Sequence, residues 1–140
     1  MKIQQKQLKM SKFWDIEKPI TPVPYMHGLL CMLLGLPAEM VTEVLSINKK
    51  HFISKEIKDA IVTLGYNHSG FVKFDRTTEN PCILRCKDLR SKDNSWFAFV
   101  YKDGLVYCPQ WVFPFDIEYF ENEYSWRMEI KTTTMLKVWF

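Results

Sequence analysis

The stretch NSWFAFVYKDGLVYCP, residues 94–109, has the pattern of a β-hairpin and decides the class of the fold. Apolar runs at 96–101 and 105–107 flank a turn whose Asp103-Gly104 pair favours type I′ geometry. Runs at 71–74 and 82–86 predict two further strands. Runs at 126–130 and 135–139 predict a second hairpin around residues 131–134, with its last strand at a sheet edge.

The first half of the chain has helical periodicity instead. Helices are predicted at 25–34, between Pro24 and Gly35, at 38–47 after Pro37, and from an N-cap at Ser54 to about residue 64. Three helices followed by an antiparallel sheet predict an α+β fold in which the helices pack on the sheet. Aromatic residues crowd positions 107–126, where two prolines predict a loop-rich cover over that sheet.

Length and charge limit the organisation and the partners. A chain of 140 residues predicts one domain, here 15–140, preceded by a basic arm, 1–14, that carries four lysines and no acid. A net charge of +3 does not by itself indicate nucleic acid, and an acidic stretch at 116–123 would repel phosphates. The arm and the acidic stretch could contact each other or other partners.

Hydropathy and cysteine usage predict a cytoplasmic protein. The longest apolar run, residues 29–36, is too short to cross a bilayer, which needs roughly 20 residues. The four cysteines follow no secretory leader, so reduced thiols are expected. Cys82 and Cys86, four residues apart on one strand, would be roughly 13 Å apart, so no metal site and no cofactor are predicted.

Several segments resemble one enzyme family in order and spacing. MLLGLPAEMVTEVLSI (32–47), ISKEIKDAIVTLGY (53–66), NPCILRC (80–86) and the hairpin quoted above resemble the papain-like cysteine peptidases of bacteriocin-processing transporters. The resemblance implies a papain-like fold. In that family a cysteine at the start of the first helix attacks the substrate, because the helix dipole lowers the pKa of its thiol.

The resemblance places three other residue types at the catalytic positions. The nucleophile's position is Tyr25, the histidine's is Ser95 and the orienting aspartate's is Cys108. Residues 17–24 also lack the glutamine that donates to the oxyanion. Since a thiol, an imidazole and a carboxylate do different jobs in this mechanism, the resemblance implies a catalytically inactive, pseudo-peptidase domain.

Three functional hypotheses follow. The leading one is a protein- or peptide-binding or inhibitory module, by analogy with small phage proteins that act on host factors. Its expected binding residues are His27, Trp96, Tyr107, Trp111, Phe113 and Tyr119. The first alternative is a cysteine-dependent hydrolase with Cys108 or Cys31 as nucleophile and His27 or His68 as base. The second is a nucleic-acid-associated protein that uses the N-terminal lysines. The sequence is compatible with a monomer or a homodimer.

Overall fold

The computed structural model describes Ile16, residues 23–46 and residues 52–140. The predicted basic arm, residues 1–14, lies outside the described residues. The described chain contains helices first and an antiparallel sheet afterwards, which confirms the α+β class. It divides into two compact units: residues up to His68 together with Val138–Phe140, and Ser69–Lys137.

Helix α1, Tyr25–Leu34, begins and ends at the predicted residues. Pro24 precedes it in extended conformation, and Gly35 ends it with a φ of 65°, in the left-handed region that glycine adopts without strain. Its residues 27–34 are all buried. The helix is therefore apolar on every side, as a helix inside a core should be.

Helices α2 and α3 depart from the prediction at their ends. Helix α2 is Ala38–Thr42, shorter than predicted, and residues 47–51 lie outside the described part. Helix α3 is Ser54–Thr63, and its cap is Ile53 rather than Ser54. Ser54 takes the first helical position because the Glu56 carboxylate accepts the Ile53 N–H at 3.0 Å. The buried Tyr66 hydroxyl donates to the carbonyl of Leu34 at 2.6 Å, which ties the end of α1 to the chain after α3.

Six strands form one sheet. They are β1 Asn67–Lys73, β2 Cys82–Asp88, β3 Trp96–Lys102, β4 Leu105–Tyr107, β5 Phe115–Asp116 and β6 Ile130–Trp139, in the order β1-β6-β2-β3-β4-β5. Strand β2 pairs antiparallel with both β3 and β6. Asp103 and Gly104 have φ values of 51° and 81°, as the type I′ prediction requires. Leu84 lies opposite Phe99 and Met135, so these three buried side chains share one face of the sheet.

The C-terminal third corrects four predictions: the loop-rich cover, the strand at 126–130, the second hairpin and the edge position of the last strand. A helical segment at 117–128 replaces the expected loop and most of the expected strand at 126–130. Its parts are helix α4, Ile117–Tyr119, a π-helix, Phe120–Tyr124, and helix α5, Ser125–Met128. The second hairpin is wrong because residues 131–134 continue as strand β6. Their three consecutive threonines favour an extended strand, and no glycine, proline or asparagine is present to make a turn. Strand β6 also lies inside the sheet, between β1 and β2, rather than at an edge.

Candidate functional site

The first residue of α1 is Tyr25, which is half-buried. A helix N-terminus stabilises a negative charge, so a thiol at this position would ionise readily. A phenol has a pKa near 10 and stays protonated at neutral pH. The start of α1 therefore lacks a side chain that can act as a thiolate.

His27 corrects the expectation of a binding residue. It is fully buried, its Nε2 lies 3.1 Å from the carbonyl oxygen of Leu45, and its ring meets Phe52 edge-on with centroids 5.8 Å apart. Its Nδ1 has no hydrogen-bond partner among the described residues. A ring enclosed in this way is not accessible to a ligand or a substrate.

All four cysteines lie in the described residues, and all are buried and free of disulfides. Burial raises the pKa of Cys31 to about 11, and that of both Cys82 and Cys86 to about 12. Cys31 is a core residue, as predicted. Cys108 is 4% exposed, and its Sγ accepts the N–H of Gln110 at 3.5 Å. Such thiols are poor nucleophiles because the reactive form is the thiolate and solvent access is small.

Ser95 directly precedes β3, and Cys108 directly follows β4. The Ser95 hydroxyl donates a hydrogen bond to the Asp93 carboxylate at 2.8 Å. His68, the other base of the hydrolase alternative, lies in strand β1.

One face of the sheet places a cation beside two aromatic rings that contact each other. The guanidinium carbon of Arg85 lies 4.0 Å from the ring centroid of Phe71 and 5.5 Å from that of Trp96. The Arg85 Nε–H donates to the Thr134 hydroxyl at 2.9 Å. Burial lowers the pKa of Arg85 from its ordinary value, but an arginine stays charged at neutral pH. Among the predicted binding residues, Trp96 therefore belongs to this cation-containing cluster.

Trp111 is the centre of a cluster of rings, which we call the ring cluster. Its centroid lies 5.4 Å from Phe99, 4.3 Å from Phe115 and 5.1 Å from Tyr124. Phe120 is fully buried in the same cluster. The π-helix contributes Phe120 and Tyr124, and π-helices occur often at functional sites.

The other predicted binding residues differ in exposure. Tyr107 is half-buried at the end of β4, Tyr119 is 38% exposed and contacts Phe115, and Phe113 is 76% exposed in the loop before β5. Val112, beside Phe113, is 80% exposed. This loop offers apolar surface that the described residues leave in contact with solvent.

A shallow groove of about 580 Å³ opens elsewhere in the second unit, lined by Lys73, Phe74, Asp75, Arg76 and Glu121. Arg76 and Glu121 form an ion pair across it at 2.8 Å. The groove therefore contains paired charges, and such exposed pairs contribute little binding energy of their own.

No group of three or more histidine, cysteine or acidic side chains in the described residues is arranged to hold a metal ion. In the same part of the chain, no helix is both long and apolar enough to span a membrane.

Sequence reasoning missed Arg85 and its contact with Phe71. The available signal was a single charged residue inside the apolar run Cys82-Ile83-Leu84-Arg85-Cys86. A charge is tolerated in such a strand only when other groups support it. The partners Phe71 and Thr134 come from strands that are 14 and 49 residues away along the chain, so no local pattern identifies them.

The chain was compared with protein families, curated sequences and solved structures. No protein-family model and no curated protein sequence matches the chain. The crystal structure of a double glycine motif protease from an AMS/PCAT transporter, in complex with the leader peptide, is similar, with a TM-score of 0.53 and 14% sequence identity. The match covers 91% of each chain. The chain thus shares the fold of a papain-like peptidase.

Proposed function

We propose that this chain is a catalytically inactive papain-like module that binds a peptide or a protein segment without cleaving it. The observation that carries the proposal is Tyr25, at the first residue of α1, where the family resemblance places the nucleophilic cysteine. A module that binds without cleaving acts by sequestering its partner, so the proposal includes an inhibitory role towards a host factor.

The state of the thiols supports the absence of activity. A cysteine nucleophile needs a lowered pKa and access to solvent. Burial raises the pKa of Cys31, Cys82 and Cys86, and Cys108 is only 4% exposed. None of the four has the properties of a thiolate nucleophile.

The residue at the family's histidine position and the enclosed His27 support the same conclusion. Ser95 has no basic nitrogen, and its hydroxyl is bonded to Asp93. His27 is fully buried against Leu45 and Phe52. General base catalysis needs a side chain within hydrogen-bond reach of the proton that it removes, and a sealed imidazole does not offer this.

The surface of the second unit supports peptide binding. The neighbour of known structure holds a leader peptide, and here Trp96, Tyr107, Trp111, Phe113 and Tyr119 are all at least partly accessible. Tyrosine and tryptophan are favoured anchors of protein interfaces because they bury large area with few rotatable bonds. Accessible rings are the expected contacts for an extended apolar segment.

A synthetic leader peptide with a double-glycine motif tests the proposal. We expect calorimetry to detect binding and mass spectrometry to detect no cleavage, with Phe113→Ala weakening binding. Trp126→Ala is the matched control, since Trp126 is 80% exposed but lies outside the proposed set. Cleavage that disappears in Cys108→Ala or Cys31→Ala would support the hydrolase alternative and overturn the proposal.

Thiol labelling provides a second test. Iodoacetamide at pH 7 should modify none of the four cysteines of the folded protein, because their thiols are buried and the pKa values of three are raised to about 11 or 12. Peptide mass mapping after denaturation should find all four modified. Rapid labelling of one cysteine in the folded protein would identify a reactive thiol and contradict the proposal.

A further inference from the structure

The sheet face around Arg85 carries three cations. Lys87 lies opposite Trp96 on β3 and opposite Lys131 on β6, and side chains directly opposite each other share one face. Arg85 is two residues before Lys87 on the same strand and therefore on the same face. We name this surface the cationic face; its members are Phe71, Arg85, Lys87, Trp96, Lys131 and Thr134.

The pairing of Lys87 with Lys131 has an energetic cost. Like charges directly opposite each other in an antiparallel pair are destabilising. Both side chains are exposed, and within the described part of the chain neither ammonium group has a carboxylate partner. An anion bound between them would remove the repulsion, so this arrangement favours a negatively charged ligand.

Acidic groups near this end of the sheet already have partners. Asp88 and Glu129 each lie 3.6 Å from the Nε of Arg90. Asp93 accepts a hydrogen bond from Ser95. The described acids nearby are thus engaged by other groups, and none of these ion pairs or hydrogen bonds involves Lys87 or Lys131.

The ring geometry distinguishes two anionic partners, a nucleic acid and an acidic protein segment. Nucleic-acid-binding sheets stack bases on free ring faces. The Phe71 ring face is covered by the Arg85 guanidinium at 4.0 Å, and the Phe71 and Trp96 rings meet at 66° with centroids 6.1 Å apart. This geometry disfavours a stacked base. Of the two partners, the geometry therefore favours the protein segment, whose carboxylates would contact the cations and whose apolar side chain would contact the ring edges.

We propose that the cationic face binds an acidic segment of a partner protein, with carboxylates at Lys87 and Lys131 and an apolar side chain against Trp96. The inference does not rest on the loss of peptidase activity, since it concerns charge and ring geometry on β1, β6, β2 and β3. It specifies that the bound segment is acidic. Complementary charge of this kind selects partners and speeds their association.

Fluorescence anisotropy with a labelled peptide of alternating glutamate and leucine tests this proposal. We expect binding at low ionic strength that weakens with added salt. The double variant Lys87→Gln/Lys131→Gln should bind roughly tenfold more weakly, as expected from two lost surface charge contacts. The matched control Lys55→Gln/Lys58→Gln has the same net charge but changes helix α3, and its affinity should stay within about twofold of the parent protein.

Three outcomes would overturn the proposal: no binding of the peptide to the parent protein, an equal loss in both double variants, or tighter binding of a single-stranded oligonucleotide through the same two lysines. Both variants should be folded, since all four lysines are at least partly exposed. Thermal unfolding adds a ligand-free test, because Lys131→Gln removes the like-charge pair and should not lower the unfolding temperature. A lowered unfolding temperature would mean that Lys131 is engaged by another group and would contradict the proposal.

Discussion

Helix α1 and the segment 111–128 are both rich in apolar residues, but they use them differently. In helix α1, the apolar side chains with no exposed surface are Leu29, Leu30, Leu33 and Leu34. The segment 111–128 buries Phe120 but leaves Phe113 and Trp126 at 76% and 80% exposure. The first region is therefore devoted to packing, whereas the second both packs and presents rings to solvent. Of these two regions, only the second offers exposed rings to a partner.

The ring cluster should give the largest effect. Phe120→Ala removes a fully buried ring that contacts Phe99, Trp111 and Tyr124, so we expect about 3–5 kcal/mol lower free energy of unfolding in urea. The control Phe113→Ala removes an exposed ring and should change it by less than about 0.5 kcal/mol. Equal losses in the free energy of unfolding would show that the buried Phe120 and the exposed Phe113 do not differ in their contribution to packing.

The core of α1 should respond nearly as strongly. Leu33 is fully buried, and Leu33→Ala should cost about 2–5 kcal/mol in the same measurement, because it leaves a cavity. Val62→Ala on α3, where the side chain is 57% exposed, is the control and should be near neutral. A small effect of Leu33→Ala would show that α1 is less tightly enclosed than its burial indicates.

Tyr66 should make the stability of the protein depend on alkaline pH. Burial raises its pKa to about 12, and an unfolded tyrosine has a pKa near 10, so the unfolded state loses its proton first. The contribution of Tyr66 is therefore complete below pH 10 and is lost as the pH rises towards 12. Tyr66→Phe should lower stability by about 1 kcal/mol at pH 7, through the lost hydrogen bond to Leu34.

The same substitution should also flatten the decline in stability between pH 10 and 12, as followed by urea unfolding at each pH. The control is Tyr119→Phe, since Tyr119 is 38% exposed. If the decline persists unchanged in Tyr66→Phe, another group causes it.

Arg85 should give the smallest effect. Arg85→Met keeps much of the side-chain volume but removes the cation beside Phe71 and Trp96, and we expect about 0.5–1 kcal/mol lower stability. Arg90→Met, at an exposed arginine with ion pairs of 3.6 Å, is the control and should have a smaller effect. An identical result for the two arginines would mean that the aromatic rings add nothing to the stability.

Local sequence patterns determined the elements that short-range chemistry controls. Pro24 and Gly35 fixed both ends of α1, and the Asp103-Gly104 pair fixed the turn of the hairpin, because the backbone preferences of these residues act locally. The burial of Cys31 also followed from its position in an apolar helix. The register and order of the strands do not follow from such patterns.

Only the tertiary structure decided which distant residues meet. It placed β6 between β1 and β2, brought Phe71 and Thr134 to Arg85, and buried His27, which the sequence predicted as a binding residue. The physical reason is the same in each case: strand pairing and side-chain enclosure depend on segments far apart along the chain, whereas sequence periodicity reports only on near neighbours.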